Sequence, residues 1–363
     1  MNSRTVAFRV DASVDIGTGH LMRCLTLANA LRFKGYQAHF ICREHPGHLI
    51  HLVQQSSYQI HVLPYANDSE VDDLLIHSHW LGTTQSQDAA LCIQILSNIR
   101  PQWLIVDHYA LDMRWEQALK QYCKKILVID DLADRIHQCN ILLDQTLGRR
   151  SEDYWHLVPK ECKVLNGAKY ALLRPEFKSL RSYSLQRRDG TLLQSILVSM
   201  GGVDKNNATG QILEALKTIK WPLDSTITVI MGGTAPWLQF VREQAESMPI
   251  ATKVLVDVSD MAKQMANSDL AIGAAGATSW ERCCLGLPTI MIVLADNQLK
   301  IAEGLLSVNA VSLVENTQNI SYVLPILIRE IQRNPAQLAR MSLASANVID
   351  GAGVSRVIRY LVE

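Results

Sequence analysis

Neither sign of charge is in excess: 35 Lys and Arg balance 35 Asp and Glu over 363 residues. A chain that grips a nucleic-acid backbone or an acidic lipid surface carries a basic surplus, so neither nucleic acid nor membrane is expected as a partner. Long hydrophobic runs are missing too. The longest, around residues 287–295, is broken by Pro288 and Thr289 and falls far short of the ~20 residues a spanning helix needs. No basic segment followed by a long apolar stretch and a small-residue cleavage site opens the sequence, so no signal peptide is expected and the reading is cytoplasmic. Cys-x-x-Cys pairs are also absent. The eight cysteines, at 24, 42, 92, 123, 139, 162, 283 and 284, are scattered, which fits reduced structural thiols.

What is present is a globular composition, 48% hydrophobic and 19% charged. At roughly 150 residues per domain, the length accommodates about two cores. Residues 6–10, 37–42, 104–107 and 126–130 read as short strands, and residues 21–33 carry apolar residues at helical spacing. A polar stretch, 179–190, interrupts this pattern with Arg181, Arg187, Arg188 and a turn-forming Asp189-Gly190. The alternation then restarts with strands at 195–200, 226–231, 253–256, 270–273 and 289–293, a helix at about 207–219 and a final helix at 355–363. Strands buried on both faces and separated by helices form parallel sheets. The expected fold is therefore α/β, with two doubly wound Rossmann-type domains, 1–185 and 186–363, facing across a cleft.

Ligands of such sheets bind where strands end at their carboxyl side. After the first strand comes Asp11-Ala-Ser-Val-Asp15-Ile-Gly17-Thr-Gly19-His20-Leu-Met-Arg23. Gly17 and Gly19 allow a tight turn into a helix whose first N–H groups suit an anion. Met22 stands where a dinucleotide fingerprint wants its third glycine, which weakens a NAD reading. His20, in the first helical turn, is kept neutral by the helix dipole. It is read as a general base or, equally, as a polar helix-start residue that only binds substrate. The second half repeats the device with Gly201-Gly202 before a helix, a phosphate turn or a plain βα turn. Near its end stand Gly273-Ala-Ala-Gly276-Ala-Thr278-Ser279-Trp280-Glu281 and, later, Ala295-Asp296-Asn297-Gln298. Thr278 and Ser279 are placed to cap a helix and bond phosphate. Glu281 either accepts from two ribose hydroxyls or merely satisfies the helix dipole. The histidines at 45, 48, 51, 77 and 79 stand in no recognised ligand spacing with Cys or acids. A solvated loop and helix face is expected for them, with no metal and no cofactor.

Gly-Ala-Thr-Ser-Trp-Glu at 276–281, Gly-Leu-Pro at 286–288 and Ala-Asp-Asn-Gln at 295–298 together resemble the nucleotide-binding half of the MurG-like, GT-B-fold proteins. With the motif at 11–23, Val106-Asp107-His108-Tyr109, the run at 129–134 and Tyr170–Phe177, the chain resembles more narrowly the PseG family of UDP-sugar hydrolases. The likeness runs from about residue 6 to 300, in order. It implies hydrolysis of UDP-2,4-diacetamido-2,4,6-trideoxy-β-L-altropyranose to UDP and free sugar, within pseudaminic acid biosynthesis for flagellin or capsule glycosylation. It implies His20 as the base activating water for inverting attack at the anomeric carbon, Glu281 on the nucleotide, Asn297 on substrate and Tyr109 near the sugar. Gly17, Gly19, Gly276, Thr278, Ser279 and Gln298 complete the expected substrate contacts, and Asp11, Gly201 and Gly202 are looser candidates. UDP is a stable leaving group, so its departure asks for charge stabilisation more than for a strong acid or a metal. The implied partners are the UDP-sugar and other enzymes of its pathway. Two other readings stay open: a GT-B glycosyltransferase that uses the same donor, and a non-catalytic nucleotide-sugar-binding protein.

Overall fold

The computed structural model describes residues 4–66, 75–188 and 192–362, which divide into two compact units. Unit 1 comprises residues up to Leu172 together with the C-terminal segment from Ala352; unit 2 is Leu173–Gly351.

Unit 1 is built from β1 (Arg4–Val10), α1 (Gly19–Arg32), β2 (Tyr36–Arg43), α2 (Ile50–Gln55), β3 (Gln59–Leu63), α3 (Gln85–Ile99), β4 (Trp103–Asp107), α4 (Met113–Leu119), β5 (Lys125–Ile129), β6 (Ile141–Asp144) and β7 (Lys163–Asn166). The strands form one sheet of order β3-β2-β1-β4-β5-β6-β7, and every described pairing is parallel. The period-2 alternation of β1 explains why both faces are covered. Val6, Phe8 and Val10 enter one core, where Phe8 stacks on Phe40 with ring centroids 4.8 Å apart, and Ala7 enters the core on the other face.

Unit 2 contains α5 (Pro175–Arg187), β8 (Ser195–Ser199), α6 (Ala208–Lys217), β9 (Thr226–Met231), α7 (Leu238–Glu246), β10 (Ala251–Val256), α8 (Met261–Ala266), β11 (Leu270–Ala274), α9 (Thr278–Cys284), β12 (Thr289–Ile292), α10 (Leu299–Ser307), β13 (Val311–Val314), α11 (Ile320–Arg333) and α12 (Ala336–Val348). Its parallel sheet runs β10-β9-β8-β11-β12-β13. Each sheet therefore reverses its strand order at one place, beside β1 and β4 in unit 1 and beside β8 and β11 in unit 2. Such switch points leave a crevice at the strands' carboxyl ends.

Two boundaries differ from the sequence reading. The polar stretch expected to join the halves near 185 is largely α5, and its arginines are bound within unit 2. Arg188 donates to the carbonyls of Ser184, Leu285, Met265 and Ser268, Arg181 to those of Cys284 and Ala346, and Arg187 pairs with Asp269 at 2.6 Å. The polarity of this stretch is helix-end satisfaction. The Asp189-Gly190 turn lies outside the described residues. The other difference is α13 (Gly353–Val362), which belongs to unit 1. Val357, Ile358 and Leu361 enter its first core, and Tyr36 and the Trp103 indole both donate to the Leu361 carbonyl.

All eight cysteines are free thiols. Among the described residues, no helix is long and apolar enough to cross a membrane.

Candidate active site

The unit 1 switch point is built by the loop after β1, the start of α1 and the end of β4. Gly17 adopts φ +79°, a left-handed conformation natural to glycine, and its N–H donates to the Ser13 carbonyl to close the loop. Gly19 opens α1, so His20 does sit in the first turn, and Thr18 at the N-cap makes no side-chain hydrogen bond to the first amides.

His20 Nδ1 lies 2.6 Å from Asp107 Oδ1. Burial works to raise the Asp107 carboxyl, but the Arg23 charge and the hydrogen bonds of Arg23 and His20 outweigh it and hold the group well below the usual carboxylate range. An ionised carboxylate only accepts, so Nδ1 must donate, and Nε2 is the nitrogen with a lone pair to offer. The Arg23 guanidinium also approaches Nδ1, at 3.3 Å. That contact is subordinate, because the same Arg23 grips Asp107 at 2.6 and 2.7 Å. Arg23 further reaches Asp131 at 2.5 Å, and the Tyr109 hydroxyl donates to Asp131 at 2.9 Å. Tyr109 closes on His20 edge to face, with ring centroids 4.7 Å apart. Two side chains on one turn of α1 are thus fixed by carboxylates at the ends of β4 and β5.

Asp11 has a different place from the substrate contact expected of it. Its carboxylate is fully buried and accepts from Arg9 at 2.6 Å, from the Arg43 backbone at 2.7 Å and from His45 at 3.2 Å. Arg9 also pairs with Asp88 at 2.7 Å, so a charge in mid-strand is neutralised from two sides. His108 Nδ1 accepts from the Ala110 backbone, and its Nε2 lies 3.2 Å from Asp11 without hydrogen-bond alignment. Burial holds His108 below the usual histidine range, which matches a neutral ring. Asp11 anchors the first strand's end from inside. His45, expected in a solvated face, is drawn into this interior network instead.

In unit 2, Gly201 follows β8 with φ +95°, a conformation suited to its lack of a side chain, and the Gly202 carbonyl accepts from the Gly232 N–H. The segment after β11 runs through Gly276 into α9. Thr278 and Ser279 do not cap that helix: its N-cap is Ala277, and no side chain bonds there. Both hydroxyls face Arg282, at 3.4 and 3.0 Å, while Arg282 also donates to the Ala274 carbonyl at 2.7 Å. Burial, with no carboxylate bonded to it, lowers the Arg282 guanidinium to about 10. This cation beneath the loop was not singled out from sequence. Its signal was present, an arginine one residue beyond Glu281.

Glu281 keeps 18% of its side chain exposed, and its nearest cation, Arg174, stands 3.9 Å away. Burial pushes its carboxyl up to about 7 against the opposing pull of Arg174 and Arg282. Asn297 is exposed in the 3₁₀ turn Asp296–Gln298, whereas Gln298 spends its side-chain oxygen on the Leu294 N–H at 3.0 Å. Among the described residues, no three His, Cys, Asp or Glu stand together as metal ligands.

Comparison with known proteins places both units in context. Residues 198–354 match the glycosyltransferase family 28 C-terminal domain. Over 302 residues, 83% of this chain and 95% of the relative, the chain is 27% identical to the UDP-2,4-diacetamido-2,4,6-trideoxy-β-L-altropyranose hydrolase of Campylobacter jejuni. An uncharacterised Methanocaldococcus jannaschii protein, MJ1062, is 25% identical over 81% of this chain, which spans only 56% of that relative's length. Among solved structures, MurG of Acinetobacter baumannii superposes with a TM-score of 0.68 at 16% identity, covering 99% of both chains. The fold is GT-B.

Proposed function

We propose that this protein hydrolyses a UDP-sugar at its anomeric carbon, with UDP-2,4-diacetamido-2,4,6-trideoxy-β-L-altropyranose as the substrate and His20 as the base. The observation that carries the reading is the 2.6 Å His20–Asp107 pair, which fixes the tautomer and leaves Nε2 as proton acceptor. The logic is that of a histidine oriented by a buried carboxylate. The named hydrolase relative supplies the substrate, and the family 28 match supports a nucleotide-sugar role for unit 2.

Nε2 takes a proton from water as its oxygen attacks the anomeric carbon, and the glycosyl C–O bond breaks with both electrons leaving on UDP. A retaining route would need a carboxylate free to form a glycosyl ester. Among the described residues, Asp107, which binds His20, and Asp131 are both held by Arg23, which favours a single inverting displacement. The leaving diphosphate is assigned to the loops at Gly201-Gly202 and Gly276–Ser279, with the buried Arg282 charge beneath the second. Glu281 is assigned to the ribose hydroxyls and Asn297 to the substrate.

The rival reading, transfer of the sugar to an acceptor alcohol, is favoured by the family 28 match and uses the same base. One experiment separates the two. In ¹⁸O-labelled water, without acceptor, the label should appear in the free sugar, first as the inverted anomer, and not in UDP. Label in UDP would mean attack at phosphorus. Turnover that depends on an added acceptor would make the protein a transferase.

A further inference from the structure

Four rings meet at this site: His20, which the proposed reaction uses, Tyr109, whose hydroxyl is bound to Asp131, and two more. The other two, His77 and Trp80, come from the short 3₁₀ segment Ser78–Leu81 and the residue before it. Trp80 lies nearly parallel to Tyr109, at 23° with centroids 5.6 Å apart. His77 lies 4.4 Å from Trp80 and 5.6 Å from Tyr109. Trp80 meets His20 edge to face at 6.2 Å.

Two contrasts separate this cluster from ordinary core packing. Trp103 and Trp115 of the same unit are 2% and 1% exposed, whereas Trp80 and His77 are only half-buried. Leu81, the next residue, is buried within the core, whereas Trp80 packs only against its edge and keeps part of the indole exposed. The Tyr109 hydroxyl is also already spent on Asp131. What remains toward the histidine is therefore aromatic carbon surface. The part of the indole that the core leaves uncovered faces the general base, where a bound ligand can cover it.

The chemistry of the occupant follows from the π-face. It is electron-rich and favours weakly positive C–H groups, and Trp gives a large contact area at low entropic cost. A pyranose has one C–H-rich face, and acetamido methyls and a 6-methyl enlarge its apolar surface. We infer that Trp80, backed by His77 and Tyr109, is the platform on which the apolar face of the substrate's sugar ring rests while His20 activates water. The inference rests on the UDP-sugar reading of the site and adds the residue that recognises the sugar rather than the nucleotide.

The test compares affinity for UDP-2,4-diacetamido-2,4,6-trideoxy-β-L-altropyranose with affinity for UDP by calorimetry. It is run in the His20→Asn protein, where turnover is suppressed. Trp80→Ala should weaken binding of the UDP-sugar by about tenfold and leave UDP unchanged, the size expected of one lost aromatic contact. Trp80→Phe should restore most of the difference. An unchanged UDP-sugar affinity in Trp80→Ala overturns the platform, as does an equal loss for UDP and UDP-sugar. A His20→Asn protein that binds the UDP-sugar no more tightly than UDP overturns it as well. Labelled sugar formed in water by a protein indifferent to Trp80→Ala would leave the hydrolase reading standing alone. Sugar recognised through Trp80 but passed only to an added acceptor would do the reverse.

Discussion

The two switch points solve opposite problems. Among the described residues around His20, the carboxylates already have partners: Asp107 takes His20 and Arg23, Asp131 takes Arg23 and Tyr109, and Asp11 takes Arg9 and His45. Around Glu281 the charges are sparse. Arg282 is bound by carbonyl and hydroxyl oxygens alone, and Glu281 has its nearest cation at 3.9 Å. A proton-transfer group must be held in one tautomer and one rotamer before substrate arrives, so its network is completed by the protein. A ligand-recognition group can leave part of its satisfaction to the ligand. The contrast predicts that damage to unit 1 shows in turnover and damage to unit 2 shows in affinity.

The largest expected effect is at His20. His20→Asn should lower kcat by about 10²–10⁴-fold, the usual cost of a lost general base, with UDP affinity nearly intact by calorimetry. Near-normal turnover would break the comparison at its root. Asp107→Asn comes next, because an amide no longer enforces the Nδ1–H tautomer. A loss of about 10²-fold or more in kcat is expected. Because one residue acts through the other, the double variant should turn over no more slowly than His20→Asn alone. Multiplied losses would show that the two act independently. Asp107→Asn also leaves buried Arg23 with Asp131 as its remaining carboxylate, so Tm should fall. A broken buried ion pair costs about 3–5 kcal/mol when no second partner remains.

The parallel sheets and the residues that follow their strands were legible because alternation, strand-ending glycines and strand-ending aspartates are local signals. His20 was placed correctly in its first turn for that reason. Its partner was harder to see. Asp107 stood in a quoted motif, but only the adjacency of β1 and β4 brings it to His20 across 87 positions. The same limit hid the platform: His77 and Trp80 lie in a segment with no periodicity, and their ring contacts depend on Tyr109 from another strand's end. Local chemistry misled where tertiary context reversed it. Asp11 follows a strand as a ligand contact should, yet Arg9, two residues earlier and buried on the sheet, claims its carboxylate. Arg181, Arg187 and Arg188 stood in the stretch expected to join the halves, because most of the carbonyls they bind are about 80 to 165 positions away.

The smallest effect sharpens the unit 2 side of the comparison. If Glu281 accepts from ribose hydroxyls, Glu281→Gln should weaken UDP binding roughly tenfold or more, as a lost charge-assisted hydrogen bond does, with kcat at saturation little changed. The pH dependence gives an independent check. Burial has pushed the free carboxyl up to about 7, so near neutrality a substantial fraction is protonated before the ligand arrives. Two hydroxyls donating to the carboxylate favour the ionised form, so binding lowers this pKa and releases a proton. Affinity should therefore be full above about pH 7 and should fall by up to about tenfold per pH unit below it, until the bound-state value is reached. Glu281→Gln cannot titrate and should flatten that limb of the profile. Calorimetry in buffers of different ionisation enthalpy should detect the released proton in the unsubstituted protein and not in the variant. A profile equally steep in both proteins would move the titrating group elsewhere and return Glu281 to a helix-dipole role.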